Sequence, residues 1–473
     1  MMFTLPQILQ ATGGRHVGGP SAGTFAGVGI DSRTIDAARL FVAIRGERHD
    51  GHDFVPAVVA RGIKGVVVDE VGAARIDAAA LQDAGVACVV VADTLRALGA
   101  LAHHLRLRSA IPVVAITGSN GKTTTRRMTA LVLSQQFNTL ATQGNFNNEI
   151  GLPLTLFNLT AAHQAAVLEL GMNHPGEIDR LGAICRPTVG IITTVGPCHL
   201  EFLGDLEGVA RAKGELIGRI APEGTAVLNG DDPNVAALAW DCDRRVLFFG
   251  TAAECQVRAE NIVAAEMGMA FDLALPDERV HVRLATPGRF MVSNALAAAA
   301  AGYLLGVPAN RIKAGLEQFA PEKGRLQVRT TAGHVHLIDD TYNANPASMQ
   351  AAIETLSTLR QGRPGIIVVG DMLELGAQAE RFHFDLGRQA AASGVFRLYA
   401  HGPQAAAVRR GALAAGMAAD AVMIGTKEAI TEDLLQHLAP EQWVLVKGSR
   451  GMVMETVAAA IDRWTTSQAE RND

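Results

Sequence analysis

The sequence predicts an α/β fold in three domains, and three observations carry that reading. Short apolar runs alternate with helical patterns along the whole chain. One such run, 113–116, passes through a Gly-rich turn straight into a helical pattern. A cluster of Pro, Gly and charge at 319–324 follows a helical segment and marks a boundary. Alternation of strand and helix builds a parallel sheet with helices on both faces. A length of 473 residues suits about two to four domains. The expected boundaries are 1–92, 93–320 and 321–473.

In the first domain, β-like runs fall at 28–30, 40–44, 65–68 and 86–91, separated by helical patterns and charged turns. That is a small α/β unit. A helical segment at 94–107 leads into the next strand. In the central domain, 165–170, 189–195 and 225–229 read as buried strands beside 113–116. Ligands of such sheets sit at the carboxyl ends of the strands. The Gly-rich turn, Glu169 and His199 all fall at such ends. In the last domain, runs at 335–338, 365–369, 398–400, 422–424 and 443–446 alternate with helices, which reads as Rossmann-like. It has no clean Gly-x-Gly-x-x-Gly, so no dinucleotide is inferred.

Composition narrows the function classes. Hydrophobic residues make up 48% of the chain, enough for real cores. A net charge of −5 argues against a general nucleic-acid or membrane-surface binder, both of which want a basic face. The first residues, Met-Met-Phe-Thr-Leu-Pro-Gln, lack a basic region followed by an apolar one, so no secretory signal is expected. The Ala-rich run 295–307 is too short to span a bilayer and contains Gly302, so it reads as a buried helix. Cys88, Cys185, Cys198, Cys242 and Cys255 are scattered without metal-ligand spacing. They fit a reducing cytoplasm, where thiols act as small apolar groups.

Thr117-Gly118-Ser119-Asn120-Gly121-Lys122-Thr123-Thr124 is the most informative stretch. Strand, Gly-rich turn, Gly-Lys-Thr and helix form the context of a phosphate-binding loop. Glycines let backbone N–H groups close around phosphate oxygens, and the helix N-terminus adds partial positive charge. Lys122 is then expected at the β/γ-phosphates and Thr123 on Mg²⁺. The longer motif wants Gly where Ile116 stands, so this is the short Gly-x-x-Gly-Lys-Thr variety. The alternative is a Gly-rich turn that happens to carry a lysine.

Glu169 ends the apolar run Ala-Val-Leu-Glu. Burying a carboxylate there is costly unless it is paired or binds metal. The alternative is a solvent-exposed strand end. His199, in Val-Gly-Pro-Cys-His-Leu-Glu, is a lone histidine at a strand end, and imidazole is an unusual Mg²⁺ ligand. Lys213 has no distinction of its own and reads as a surface lysine. Asp339-Asp340-Thr341-Tyr342-Asn343-Ala344-Asn345-Pro346 follows a β-like run. Asn345 can cap a helix whose first residue is Pro346. Capping does not explain Asp340, Tyr342 and Asn343, which look like ligand contacts.

These segments in this order resemble the Mur ligases of bacterial peptidoglycan synthesis. The resemblance rests on the phosphate loop, the Glu-Leu-Gly strand end, Val-Gly-Pro-x-His-Leu-Glu and Ala-Lys-Gly-Glu-Leu. Leu-Asn-Gly-Asp-Asp-Pro, Pro-Gly-Arg followed by Asn-Ala-Leu-Ala-Ala-Ala, and Asp-Thr-Tyr-Asn-Ala-Asn-Pro extend it over nearly the whole chain. It implies a uridine-nucleotide domain first, an ATPase-like parallel sheet in the middle and a Rossmann-like ligase domain last.

The resemblance also assigns roles. Gly118, Ser119, Asn120, Gly121, Lys122, Thr123 and Thr124 would hold ATP. Thr123, Glu169 and His199 would hold Mg²⁺, and Lys213 would do so as a carbamate. Lys122, Lys213 and His199 would be the catalytic set. Asn294 would approach the adenine, and Arg325 and Asp340 the nucleotide from the last domain. Ser32, Arg33 and Arg45 lie in segments that resemble the uridine-nucleotide domain. Asn145, Asn147, Asn148, Tyr342 and Asn343 would meet substrate. The family usually has His-Asn where this chain has Phe290-Met291, so polar contacts are lost there.

The implied activity is ATP-dependent amide formation, with D-alanyl-D-alanine joined to UDP-N-acetylmuramoyl-tripeptide through an acyl phosphate. Gly144 to Gly151, Gly-Asp-Met-Leu-Glu-Leu-Gly at 370–376 and the absence of Asp-Asn-Pro-Arg favour this acceptor over a diamino acid. The expected enzyme is a cytoplasmic monomer with ATP and Mg²⁺, without nucleic-acid partners or stable membrane insertion. The nearest alternative is the sister ligase that adds diaminopimelate or lysine to the dipeptide. A folylpolyglutamate synthase is disfavoured by the uridine-type first domain. A non-catalytic scaffold is disfavoured by Lys122, Thr123, Glu169, His199 and Lys213 occurring together. A plain P-loop ATPase leaves the first and last thirds unexplained.

Overall fold

The computed structural model describes residues 2–265 and 267–472. Its strands form three main sheets in chain order. The first has five strands, ordered Arg15–Gly18, Ala87–Val91, Gly65–Asp69, Leu40–Val42, Val28–Gly29. Only the Arg15–Gly18 edge is antiparallel. Leu40–Val42 and Ala87–Val91 are buried throughout, as expected of apolar runs covered on both faces. Asp93 then caps the helix Thr94–Leu107 by accepting from the N–H groups of Leu95 and Arg96.

The second sheet has nine strands. From one edge they run Thr139–Ala141, Ala165–Glu169, Val113–Thr117, Val189–Ile192, Thr225–Asn229, Arg245–Gly250, Val257–Ala265, Gly268–Ala274, Arg279–Leu284. The first seven are parallel. The last two pair antiparallel, so the parallel sheet expected from the sequence carries an antiparallel extension. Arg279–Leu284 is largely exposed on one side, a pattern that a one-faced antiparallel edge permits. Val113–Thr117 lies between Ala165–Glu169 and Val189–Ile192, and the chain leaves it first to one side and then to the other. That reversal opens a crevice at the carboxyl end of Val113–Thr117.

The helix Lys122–Ser134 packs against Arg289–Leu304 and Ala309–Glu317. Close approach explains the small residues there: a Cβ on Gly315 would sit 2.6 Å from Val132 Cα. The Ala-rich run is a buried helix from 295 to 302, as expected, but the helix ends at Leu304 and residues 303–306 are partly or fully exposed. No helix among the described residues is long and apolar enough to cross a membrane. All five cysteines are free.

The third sheet is ordered Gln327–Thr330, His336–Asp340, Trp443–Lys447, Gly365–Gly370, Arg397–His401, Val422–Ile424. It is parallel except at the Gln327–Thr330 edge. Asn345 caps the helix Pro346–Arg360 in a reciprocal box with Ser348, and Pro346 opens the helix as expected.

Candidate nucleotide-binding active site

A cavity of about 890 Å³ opens where the second and third sheets meet. From the central domain it is lined by Ser119 to Thr124, Glu169 and His199, and from the last domain by Arg325, Asp340 and Tyr342.

The phosphate loop has the backbone its glycines were expected to supply. Gly118 has φ 151° and Gly121 φ 81°, values that disfavour a side chain. A Cβ on Gly118 would lie 1.9 Å from Thr193 Oγ1, and one on Gly121 2.3 Å from Asn294 Oδ1. The helix begins at Lys122 with its N-terminus toward the cavity. Lys122 Nζ donates to the Gly118 carbonyl at 2.6 Å, folded back over the loop. Burial pushes its pKa down while Glu169 opposes that shift.

Glu169 is buried and sits beside the helix start. Its Oε1 accepts from Thr123 Oγ1 at 3.2 Å and from Asn147 Nδ2 at 2.9 Å. Its Oε2 lies 3.4 Å from Arg126 Nε but has no hydrogen-bond partner. A buried carboxylate oxygen without a donor, next to a threonine hydroxyl, suits a hard cation that takes oxygen ligands. No cluster of three or more His, Cys, Asp or Glu suited to a metal occurs among the described residues. Mg²⁺ accommodates that, because nucleotide phosphates and waters fill most of its shell.

Lys213 is 1% exposed, not on the surface. Burial brings its pKa down to about 8, with Cys198 and Lys122 as the other influences. His199 adopts φ 52° and its Nδ1 meets Glu374 Oε2 across the domain boundary. That hydrogen bond holds Glu374 below the usual carboxylate range. Thus the histidine expected on a metal is engaged here by the loop 372–376.

The last domain contributes four further contacts. Arg325 stacks on Tyr342, with its guanidinium carbon 3.7 Å from the ring centroid. Asp340 Oδ2 accepts from Lys447 Nζ at 2.6 Å, and its Oδ1 accepts from Leu326 N–H at 2.9 Å. Asn120 and Asn345 join their side-chain amides across the boundary.

Three family models match the chain: "Mur ligase family, catalytic domain" at 24–106, "Mur ligase middle domain" at 116–302 and "Mur ligase, glutamate ligase domain" at 324–450. The chain belongs to the Mur ligase family. It is 39% identical to the UDP-N-acetylmuramoyl-tripeptide--D-alanyl-D-alanine ligase of Escherichia coli K12, over 93% of this chain and 94% of that one. It superposes on MurF from Acinetobacter baumannii with a TM-score of 0.88 at 36% identity, covering 98% and 99% of the two chains. MurF ligase from Thermotoga maritima in complex with ADP gives a TM-score of 0.81 at 27% identity, covering 93% of this chain and 98% of that one.

Within this Mur ligase, Asn145, Asn147, Asn148, Asn294 and Asn343 also line the cavity. Asn294 accepts from Thr125 Oγ1 at 3.3 Å and lies against Gly121, so it supports the loop from behind. Asn148 Oδ1 accepts from Gly151 N–H at 2.8 Å, which gives it a capping task as well. Phe290 and Met291 line the cavity too, so its wall is apolar at that point.

Ser32, Arg33 and Arg45 do not line this cavity. Arg33 pairs with Asp31 at 2.8 Å, and Arg45 with Asp69 at 3.0 Å, on the first domain. His52, in the same domain, is a structural residue: its Nε2 accepts from Asp69 N–H at 3.0 Å.

Sequence reasoning missed Lys447 and Arg126. Lys447 ends a buried strand and is itself 2% exposed. The logic applied to Glu169, a charge closing an apolar run, would have found it. Arg126 lies one turn beyond Lys122, a spacing that places both on one helix face.

Proposed function

We propose that this chain is the ligase that joins D-alanyl-D-alanine to UDP-N-acetylmuramoyl-tripeptide, with ATP cleaved to ADP and phosphate. The observation that carries the reading is the cavity itself. One wall is a phosphate loop with Lys122, Thr123 and Glu169, and the other brings Arg325, Asp340, Tyr342 and Lys447 from the last domain. The similarity to the Escherichia coli ligase over nearly the full length of both chains supports the choice of substrates.

In this reading the terminal carboxylate of the tripeptide attacks the γ-phosphate, and the acyl phosphate formed is then attacked by the free amine of the dipeptide. Carboxylate and phosphate repel, so the first step needs positive charge held in place beforehand. Lys122 provides it after turning from the Gly118 carbonyl to the β/γ-phosphates. The backbone N–H groups of Gly121 to Thr124 hold the phosphates at the helix start, while those of Ser119 and Asn120 are held by Thr194. Thr123 and Glu169 would hold Mg²⁺, joined by His199 and by Lys213 as a carbamate; when bound, Mg²⁺ supplies positive charge against the phosphate oxygens. The depressed pKa of Lys213 leaves part of it as the neutral amine that carbamate formation requires. Arg325 and Tyr342 close over the nucleotide, and the Asn120–Asn345 contact fixes the two walls in register. Excluding water there protects the acyl phosphate from hydrolysis. Ser32, Arg33 and Arg45, outside the cavity, grip the distant uridine end.

The test is phosphate release and product mass across a matrix of UDP-muramoyl peptides and amine acceptors. UDP-MurNAc-tripeptide, ATP and D-Ala-D-Ala should give ADP, phosphate and the UDP-MurNAc-pentapeptide. Faster turnover of UDP-MurNAc-dipeptide with diaminopimelate or lysine would replace this reading with the sister activity.

A further inference from the structure

A second cavity, of about 640 Å³, lies between the helix Thr94–Leu107, the helix Glu177–Cys185 and the turn at 218–222. It shares only Leu95 and Glu149 with the nucleotide cavity. The helix Glu177–Cys185 separates the two: Arg180, Ala183 and Ile184 line the second, Glu177 and Leu181 the first. The proposed reaction uses none of this space.

The lining is strongly basic in a chain whose net charge is −5. Arg96, Arg180, Arg186, Arg219 and Arg244 face it, and Glu149 is the only carboxylate in its wall. Asp179 and Asp243 hold Arg219 and Arg244 from outside, at 2.6 and 2.7 Å. In the wall itself five guanidinium groups face one carboxylate, while Asp179, Asp243, Glu177 and Glu215 act on them from outside it. Arg186 forms no ion pair within 4.0 Å among the described residues. Guanidinium groups match carboxylate and phosphate in bidentate geometry, and a concave wall focuses their field.

Glu149 links the two cavities. It takes both arms of Arg180, at 2.7 and 3.2 Å, and Arg96 at 3.5 Å. It follows Asn147 and Asn148, and Asn147 holds Glu169. We propose that the arginine-lined cavity binds a small molecule carrying two or more phosphate or carboxylate groups, which competes with Glu149 for Arg96 and Arg180. Occupancy releases the loop 145–149 and weakens binding of the peptide substrate on the other side.

Calorimetry on the full chain without Mg²⁺ tests the site, with inorganic pyrophosphate and tricarballylate as separate probes. At least one should bind, and whichever binds identifies the preferred anion. Arg186→Gln should weaken it about tenfold, as loss of one charge-assisted contact does. Arg244→Gln is the second variant. Both should keep the activity measured without probe. Lys122→Ala should bind the probe as wild type does. Failure of both probes to bind, unchanged affinity in both arginine variants, or loss of binding in Lys122→Ala would overturn the site. The coupling is read with tricarballylate, which should raise KM for the UDP-peptide in wild type but not in Arg186→Gln. An unchanged KM would overturn the coupling. That kinetic arm rests on the proposed reaction, whereas the calorimetry does not.

Discussion

Asn120 of the phosphate loop and Asn345 at the start of the helix Pro346–Arg360 bond amide to amide in both directions, at 3.2 and 2.8 Å. The nucleotide loop is thereby tied to the last domain by a contact that nucleotide binding can strengthen or break. Asn345 also caps its helix, whereas Asn120 caps nothing. Asn345→Ala should therefore lower stability by about 1 kcal/mol through the lost cap. Asn120→Ala should leave the thermal midpoint nearly unchanged and weaken ADP binding. Thermal denaturation and ADP titration of the two variants separate these effects.

Lys122→Ala should fold normally and lose about 10²–10³-fold in turnover, the common effect of removing one preorganised charge-stabilising donor. Near-normal phosphate release from a folded variant would remove Lys122 from its assigned role.

Lys213 gives a pH prediction. Its folded pKa of about 8 lies below the unfolded value of 10.5, so folding disfavours its charged form. The unfolded chain binds more protons between those values, so stability rises with pH there. In CO₂-free buffer, Lys213→Met should be more stable than wild type at pH 7, by up to about 3 kcal/mol. That advantage should shrink as pH rises from 8 toward 10.5. Chemical denaturation across that range measures it. Lys213→Arg should be as inactive as Lys213→Ala, because guanidinium does not form the carbamate. ¹³C-bicarbonate should give wild type a carbamate carbonyl signal that both variants lack.

Glu169→Gln should raise the Mg²⁺ needed for nucleotide binding by about tenfold or more, since a buried anionic ligand is lost. It should also destabilise the fold by about 1–3 kcal/mol, because Arg126 loses its buried counter-charge and keeps only the more exposed Glu322 at 3.6 Å. Adding Arg126→Met should recover stability without recovering Mg²⁺ dependence. Recovery of both would make the Glu169 effect structural.

The fully buried parallel strands were legible because burial on both faces writes them as continuous apolar runs, whereas the partly buried Thr139–Ala141 and Arg245–Gly250 were not read. Val113–Thr117 and Ala87–Val91 are buried throughout. The meander Val257–Leu284 was not, because its edge alternates buried residues with exposed Arg279, His281 and Arg283. The phosphate loop was readable because its chemistry is local, with glycines and lysine adjacent in sequence. Lys213 was not, since its meaning lies in burial contributed by distant segments. Lys447 and Arg126 carried local signals that mark them as residues, but their partners Asp340 and Glu169 lie 107 and 43 positions away, and no local spacing announces those pairs.

The order of the third sheet bears on how the protein is made. Trp443–Lys447, the last strand in sequence, lies at the middle of that sheet, between His336–Asp340 and Gly365–Gly370. During synthesis the earlier strands of this domain emerge first, with a strand-wide gap between two of them. Domains fold as units, amino-terminal first, and unpaired strand edges are aggregation-prone. The first two sheets can therefore be complete on the ribosome while the third waits for the final segment. The same segment delivers Lys447 to Asp340, so this wall of the cavity is assembled last, and a chain that stalls before residue 443 carries a phosphate loop facing a wall that has not formed.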